Sequence, residues 1–217
     1  MKLFSLYLSL IIATAGPVSA QKIPNGVDAQ VGKFFVDGTT LIYNTNNVPP
    51  DQYAEMESDD VALFSDILEA NPNTKLLQLT STGGSVWAGE EMARIAMDYR
   101  LDTRVSGECS SACVTLFLAG NQRVLDRGGA IGFHQNAWHA DGLREYYKYW
   151  HRDENWDNPF DFGSWLYRDV QTEMHRQLSY LVARGVDPVF AIETKRERSN
   201  IWYPTRRELE EAGVLRD

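Results

Sequence analysis

A chain of 217 residues, 43% of them hydrophobic, is long enough to build one domain around a full apolar core. Its formal net charge of −9 at pH 7 argues against nucleic acid as the main partner, because phosphate backbones are bound through cationic surfaces. Past the first twenty residues no stretch is long and apolar enough to span a membrane.

The N-terminal stretch MKLFSLYLSLIIATAGPVSA stands apart from the fold. It carries Lys2, an apolar run from Leu3 to Ala15, the helix-breaking pair Gly16-Pro17, and the small residues Val18-Ser19-Ala20. This is the layout of a secretory signal peptide over residues 1–20, with cleavage expected after Ala20. The apolar run is shorter than the ~20 residues of a spanning helix, which disfavours an uncleaved anchor. The mature chain, residues 21–217, is then expected to be secreted or periplasmic, with no stable membrane anchor. Cleavage removes only Lys2 among the charges, so the mature balance is 20 minus 30, or −10. Export to an oxidising compartment permits a disulfide and gives little reason to expect an ATP-driven partner.

In the mature chain, KFFVDGTTLIY predicts strand on both sides of a turn at Asp37-Gly38. Residues 59–70 place Val61, Phe64, Ile67 and Leu68 at helical spacing, with Ser58 as the expected N-cap. KLLQLT predicts a strand, Ser81 to Ser85 a loop, and VWAGEEMARIAMDYR a helix with Met92, Ile95, Ala96 and Tyr99 on one face. TRVSG predicts a short strand, SACVTLFLAG an apolar helix, and QRVLD and AIGF two more strands. Strands alternating with helices predict an α/β fold with parallel strands.

Residues 136–168 break this pattern with ten aromatic rings, from Trp138 to Tyr167, set among charges. Such a segment is expected to be an insertion, a substrate lid or an oligomer contact, or an excursion packing its rings on its own domain. Helices over about 166–184 and 187–196 follow. The chain closes with a short strand in NIWY, a helix capped by Thr205 and a Gly-Val-Leu tail.

Three loops carry candidate chemistry. Gly83 and Gly84 let the backbone approach a ligand and aim N–H groups at it; a Gly-Gly pair alone is most often only a turn. Ser111 opens the helix after TRVSGE, where unpaired N–H groups face any oxyanion it creates; Ser110 or Ser111 is otherwise a plain N-cap. His134 directly follows a strand and is a candidate general base, or a structural residue. The spacing of His139, Asp141 and His151 fits no metal pattern. Cys109 and Cys113, four apart, bracket the serine pair. A helical arrangement puts their Cα atoms ~6 Å apart, within disulfide range, and two buried thiols packing as small hydrophobes is the alternative.

The order of these motifs resembles the Clp protease family, within the wider Clp/crotonase fold, from Phe34 to Leu215. The family pattern runs from a Ser-x-Gly-Gly loop to a nucleophilic Ser opening a helix. An Ala-Gly followed by a basic residue comes next, then a strand ending in His-Gln. Here these are Ser81 to Gly84, Ser111, Ala119-Gly120 with Arg123, and His134-Gln135. The Cys-Ser-Ser-Ala-Cys version resembles an exported branch of Clp-like serine proteases more than the cytosolic proteolytic subunit.

The resemblance implies repeated β-β-α units with parallel strands and a serine endopeptidase acting on peptides or unfolded proteins. It implies no cofactor and no metal, and a homo-oligomer. Ser111 would be the nucleophile and His134 the general base. The N–H groups of Gly84 and Ala112 would form the oxyanion hole, with Gly83 and Gly84 presenting bare backbone to an extended peptide. The sequence departs from the family at the third catalytic member. No Asp lies between Thr194 and Arg216, so the acid is absent or is replaced by a neutral orienter of His134, Asn200 or Ser199 beside it; an ordinary turn residue at Asn200 is the alternative. The alternative is a non-catalytic protein that holds extended peptide on the same fold. Acyl-CoA chemistry of the crotonase kind is disfavoured by export and by Ser111 with His134.

Overall fold

The computed structural model describes residues 29–48 and 53–216. The segment read as a signal peptide, residues 1–20, lies outside the described residues.

The sheet begins as a meander of β1 (Ala29–Val31), β2 (Phe34–Asp37) and β3 (Thr40–Asn44), each antiparallel to the next. The Asp37↔Thr40 pairing fixes the tight turn read at Asp37-Gly38, and Gly38 takes φ 57° there. Phe34 and Val36 on β2, and Leu41 and Tyr43 on β3, bury alternate positions, so one face of the hairpin joins the core.

Crossover helices then lay strands parallel: α1 (Ser58–Ala70), β4 (Leu76–Ser81), α2 (Val86–Asp98), β5 (Asp102–Ser110), α3 (Ala112–Leu118) and β6 (Arg123–Leu125). β7 (Ala130–Gly132) also pairs β5 in parallel, along its last three residues, completing a seven-stranded sheet. The α/β fold with a mostly parallel sheet is therefore as expected. Through the middle of the chain the order is one strand per helix; three strands precede α1, and β6–β7–α4 is the one place among the described residues where two strands precede a helix.

α1 buries Phe64, Ile67 and Leu68, as its periodicity predicts. Its N-cap is Glu57 where Ser58 was expected, because Asp60 reaches back to the Glu57 N–H (2.9 Å) in a capping box. Asp60 is buried and also takes hydrogen bonds from Tyr43 Oη (2.6 Å) and Lys33 Nζ (3.0 Å). This polar knot ties α1 to β3 and to the start of β2.

α3 buries six of its seven residues, all apolar. Its C-terminal carbonyls are collected by guanidinium groups. Arg184 donates from Nε to Leu118 O (2.8 Å) and from Nη2 to Ala119 O and Gly120 O (3.1 and 3.0 Å). Arg123, fully buried, donates to the carbonyls of Leu118, Arg184 and Gly213, and its backbone bridges Arg216. Burial, with Arg216 and Arg184 nearby, lowers the Arg123 pKa to about 10.

Beyond β7 come α4 (Ala140–Trp150), α5 (Pro159–Ala183), α6 (Pro188–Glu193) and α7 (Arg206–Glu211), the last capped by Thr205 as expected. The strand expected in NIWY is one antiparallel bridge, Phe133↔Trp202. α5 starts at Pro159, earlier than periodicity suggests, because Asn158 caps Phe160 N and Pro159 needs no donor there. α4 packs on the start of α5 through rings. Tyr146 lies within 6.3 Å of Trp156, Phe162 and Trp165. Trp156 and Phe162 are buried yet stand outside the main core cluster, so residues 136–168 pack their rings largely on one another.

Candidate active site

β5 ends at Ser110 and α3 begins at Ala112, so Ser111 alone makes the strand-to-helix turn. It does so at φ 57°, ψ −127°, a conformation a side-chain-bearing residue rarely takes. Its N–H donates to Gly132 O (3.1 Å), which holds the turn against the end of β7. Its hydroxyl makes no capping hydrogen bond, so Ser111 occupies the N-cap position without acting as a cap. Ser110 faces the other way: it is buried, with Oγ 2.7 Å from Glu108 Oε1, which also accepts from Tyr203 Oη (2.6 Å). The serine pair therefore divides into one anchored hydroxyl and one left to the pocket.

Cys109 and Cys113 are joined as a disulfide with Cα atoms 5.3 Å apart, and both are fully buried. The bond bridges the end of β5 and the first turn of α3, with Ser111 between its ends.

The glycine loop lies against this turn. A Cβ on Gly83 (φ 98°) would stand 2.7 Å from Ser111 Cβ and 2.8 Å from Ser110 O, closer than real Cβ atoms come. Gly83 N–H donates to Ser81 Oγ (3.1 Å). Met56 N–H donates to Gly83 O (2.7 Å) and Ser85 N–H to Met56 O (2.9 Å). One edge of the loop is thus paired with the chain's own Met56. Gly84 (φ 139°) bridges Met56 in parallel, so close that a Cβ there would stand 2.5 Å from Met56 O.

His134 follows β7 and is half-buried. Its Nδ1 lies 2.7 Å from the Gln135 carbonyl oxygen. A carbonyl can only accept, so Nδ1 is the donor in this contact and Nε2 of the neutral ring is the nitrogen left to take a proton. Ser111, Ala112 and His134 line one pocket of about 240 Å³.

Asn200 does not join them. It is exposed, its Nδ2 donates to Ser199 Oγ (3.3 Å), and no hydrogen bond links it to His134. The expectation that Asn200 orients His134 is corrected: the Gln135 carbonyl occupies Nδ1. Neighbouring contacts explain the displacement. Arg198 is drawn to Glu193 O (2.9 Å) and lies over the Trp202 ring at 4.5 Å, while Ile201 and Tyr203 crowd against Gly132. Residues 199 and 200 are left on an exposed bend. His139 and His151 cap opposite ends of α4, so they build no common site.

No protein-family profile matches the chain, and no curated protein matches it by sequence. Among solved structures it is similar to ClpP1 from Listeria monocytogenes and to a point mutant of that protein. Each likeness has a TM-score of 0.52 at 15% identity, covering 74% of this chain and 84% of ClpP1. The chain has a ClpP-like fold.

The far wall of the pocket holds residues that sequence reasoning passed over. Arg176 on α5 pairs with Glu90 on α2 (3.2 Å). Burial raises the Glu90 pKa, and Arg176 opposes the shift. Tyr180 donates to Thr115 O (2.9 Å), and burial pushes its pKa up to about 12. Lys195, just past α6, donates to Gln177 Oε1. One signal was available: Glu173, Arg176, Gln177 and Tyr180 recur at i, i+3, i+4 and i+7, a polar stripe on a long helix.

Proposed function

We propose that this chain is an exported serine-type endopeptidase that hydrolyses peptides or unfolded proteins without ATP, cofactor or metal. The observation that carries this reading is Ser111: its uncapped hydroxyl sits at a strained strand-to-helix turn and lines one pocket with His134. In the proposed reaction Ser111 Oγ attacks the peptide carbonyl carbon and gives its proton to His134 Nε2. Nδ1–H stays on the Gln135 carbonyl throughout. The oxyanion accepts from Gly84 N–H and from Ala112 N–H in the first turn of α3, donors worth ~3 kcal/mol of barrier each. Collapse of the tetrahedral intermediate breaks the C–N bond and returns the proton from His134 to the leaving amine. Water then hydrolyses the acyl-serine by the same route.

A neutral carbonyl orients the imidazole but does not stabilise the imidazolium as a carboxylate would, so turnover is expected to be modest. Export rests on residues 1–20 and is supported by the disulfide. Homo-oligomeric assembly is carried over from the Clp resemblance. The neutral partner of His134 is also what favours the second reading, a protein that holds extended peptide without cutting it. A fluorophosphonate probe separates the two: the peptidase reading expects stoichiometric adduct on Ser111, located by peptide mass spectrometry, and absence of any serine adduct selects the binding protein.

A further inference from the structure

The pocket that holds Ser111 and His134 carries three formal charges on its wall: Glu90, Arg176 and Lys195. Glu90 and Arg176 cancel as an ion pair. Lys195 has no such partner; among the described residues its Nζ has a single acceptor, the neutral amide oxygen of Gln177. That amide cannot turn away. Its Nε2 donates to Glu173 Oε1 (2.7 Å), and Asn136 Nδ2 donates to the same oxygen (2.8 Å). Gln177 therefore fixes Lys195 in place and leaves two of its three N–H donors for something else. Burial lowers the Lys195 pKa, with Glu173 behind Gln177 only partly opposing it, as for a cation short of a counter-charge. The remaining lining includes Val114, Leu118 and Leu181, apolar surface that suits a methylene stem.

We propose that Lys195 makes this pocket selective for a peptide carboxylate, so that an acidic side chain or a free C-terminus of the bound peptide pairs with the Lys195 ammonium. The proposal rests on the pocket being a peptide site, and it holds whether the peptide is cut or only held. An ion pair formed away from bulk water is the missing partner for a half-buried ammonium, and a charge-assisted hydrogen bond favours it over its amide isostere by about tenfold or more.

The test uses the mature protein and peptide pairs that differ only in Glu against Gln, scanned across positions, each with an amidated or a free C-terminus. Cleavage by the parent protein and binding to Ser111→Ala, read by fluorescence anisotropy, are both measured. The expected result is a preference of about tenfold for Glu at one position, or for the free C-terminus, lost in Lys195→Met and reversed toward Gln, or toward the amidated terminus, in Lys195→Glu. The position scan and the two termini tell which carboxylate is recognised. Equal binding of all pairs, or a preference unchanged in Lys195→Met, overturns the proposal. A Glu preference in binding with no cleavage by the parent overturns the peptidase reading and leaves Lys195 as assigned.

Discussion

At Ser111 the backbone holds a side-chain-bearing residue at φ 57°, a conformation costing about 1–3 kcal/mol that the surroundings must offset. Three neighbours do so: the bond to Gly132 O, the close-packed face of Gly83, and the disulfide that closes Cys109 to Cys113 across the turn. A short loop of this kind limits the unfolded chain by about 2 kcal/mol. Cys109→Ala with Cys113→Ala should therefore lower the urea unfolding free energy by about 2 kcal/mol. Peptide cleavage should fall further than stability, because the turn that aims Ser111 relaxes first. Unchanged cleavage in the folded double variant would show that the bond is structural only. The sequence made Ser111, Gly83 and His134 legible because each belongs to a short motif beside a strand end. Asn200 was misplaced because the path of its segment depends on contacts distant in sequence, the Phe133↔Trp202 bridge and Tyr203 with Glu108, that no local spacing encodes.

Residues 136–168 were legible as an aromatic anomaly but not as two helices. The signal for the second was the Asn158-Pro159 start, a capping residue followed by a donor-free N1. What the composition could not tell is where the rings go, since a ring fits equally a lid, an interface or a satellite core. They go mostly to each other: Trp156 contacts Tyr146, Phe162 and Trp165 at 6.3, 4.9 and 4.9 Å. Tyr149, Phe160 and Tyr167 remain exposed on the same two helices. Trp156→Ala removes the centre of this cluster, a truncation worth about 3–5 kcal/mol in a well-packed site. Because the cluster stands apart from the main core, the loss should be local. Hydrogen exchange over residues 140–165 should speed up while β4 and β5 keep their protection. A uniform loss of protection through the sheet would place α4 and the start of α5 within the main cooperative unit.

Across the whole molecule the candidate site is assembled from the carboxyl ends of three parallel strands. The glycine loop follows β4, Ser111 follows β5, and His134 follows β7. Open α/β sheets commonly bind ligands at that edge. The alternation of strand and helix predicted the parallel sheet, and it did not predict that β7 would pair with the end of β5. That register, Ser110↔Gly132, is what sets His134 beside the serine turn. The returning C-terminus is equally non-local: Arg123, read only as the basic residue after Ala119-Gly120, joins the end of α3 to Arg184, Gly213 and Arg216. The central claim is that Ser111 and His134 act as one nucleophile–base unit, and steady-state cleavage of an unstructured peptide by Ser111→Ala, His134→Ala and the double variant tests it most directly. The account expects each single variant to lose about 10³-fold or more in kcat, with circular dichroism unchanged, and the double variant to lose no more than either. Losses that multiply in the double variant, or a Ser111→Ala protein that cleaves as fast as the parent, would contradict it.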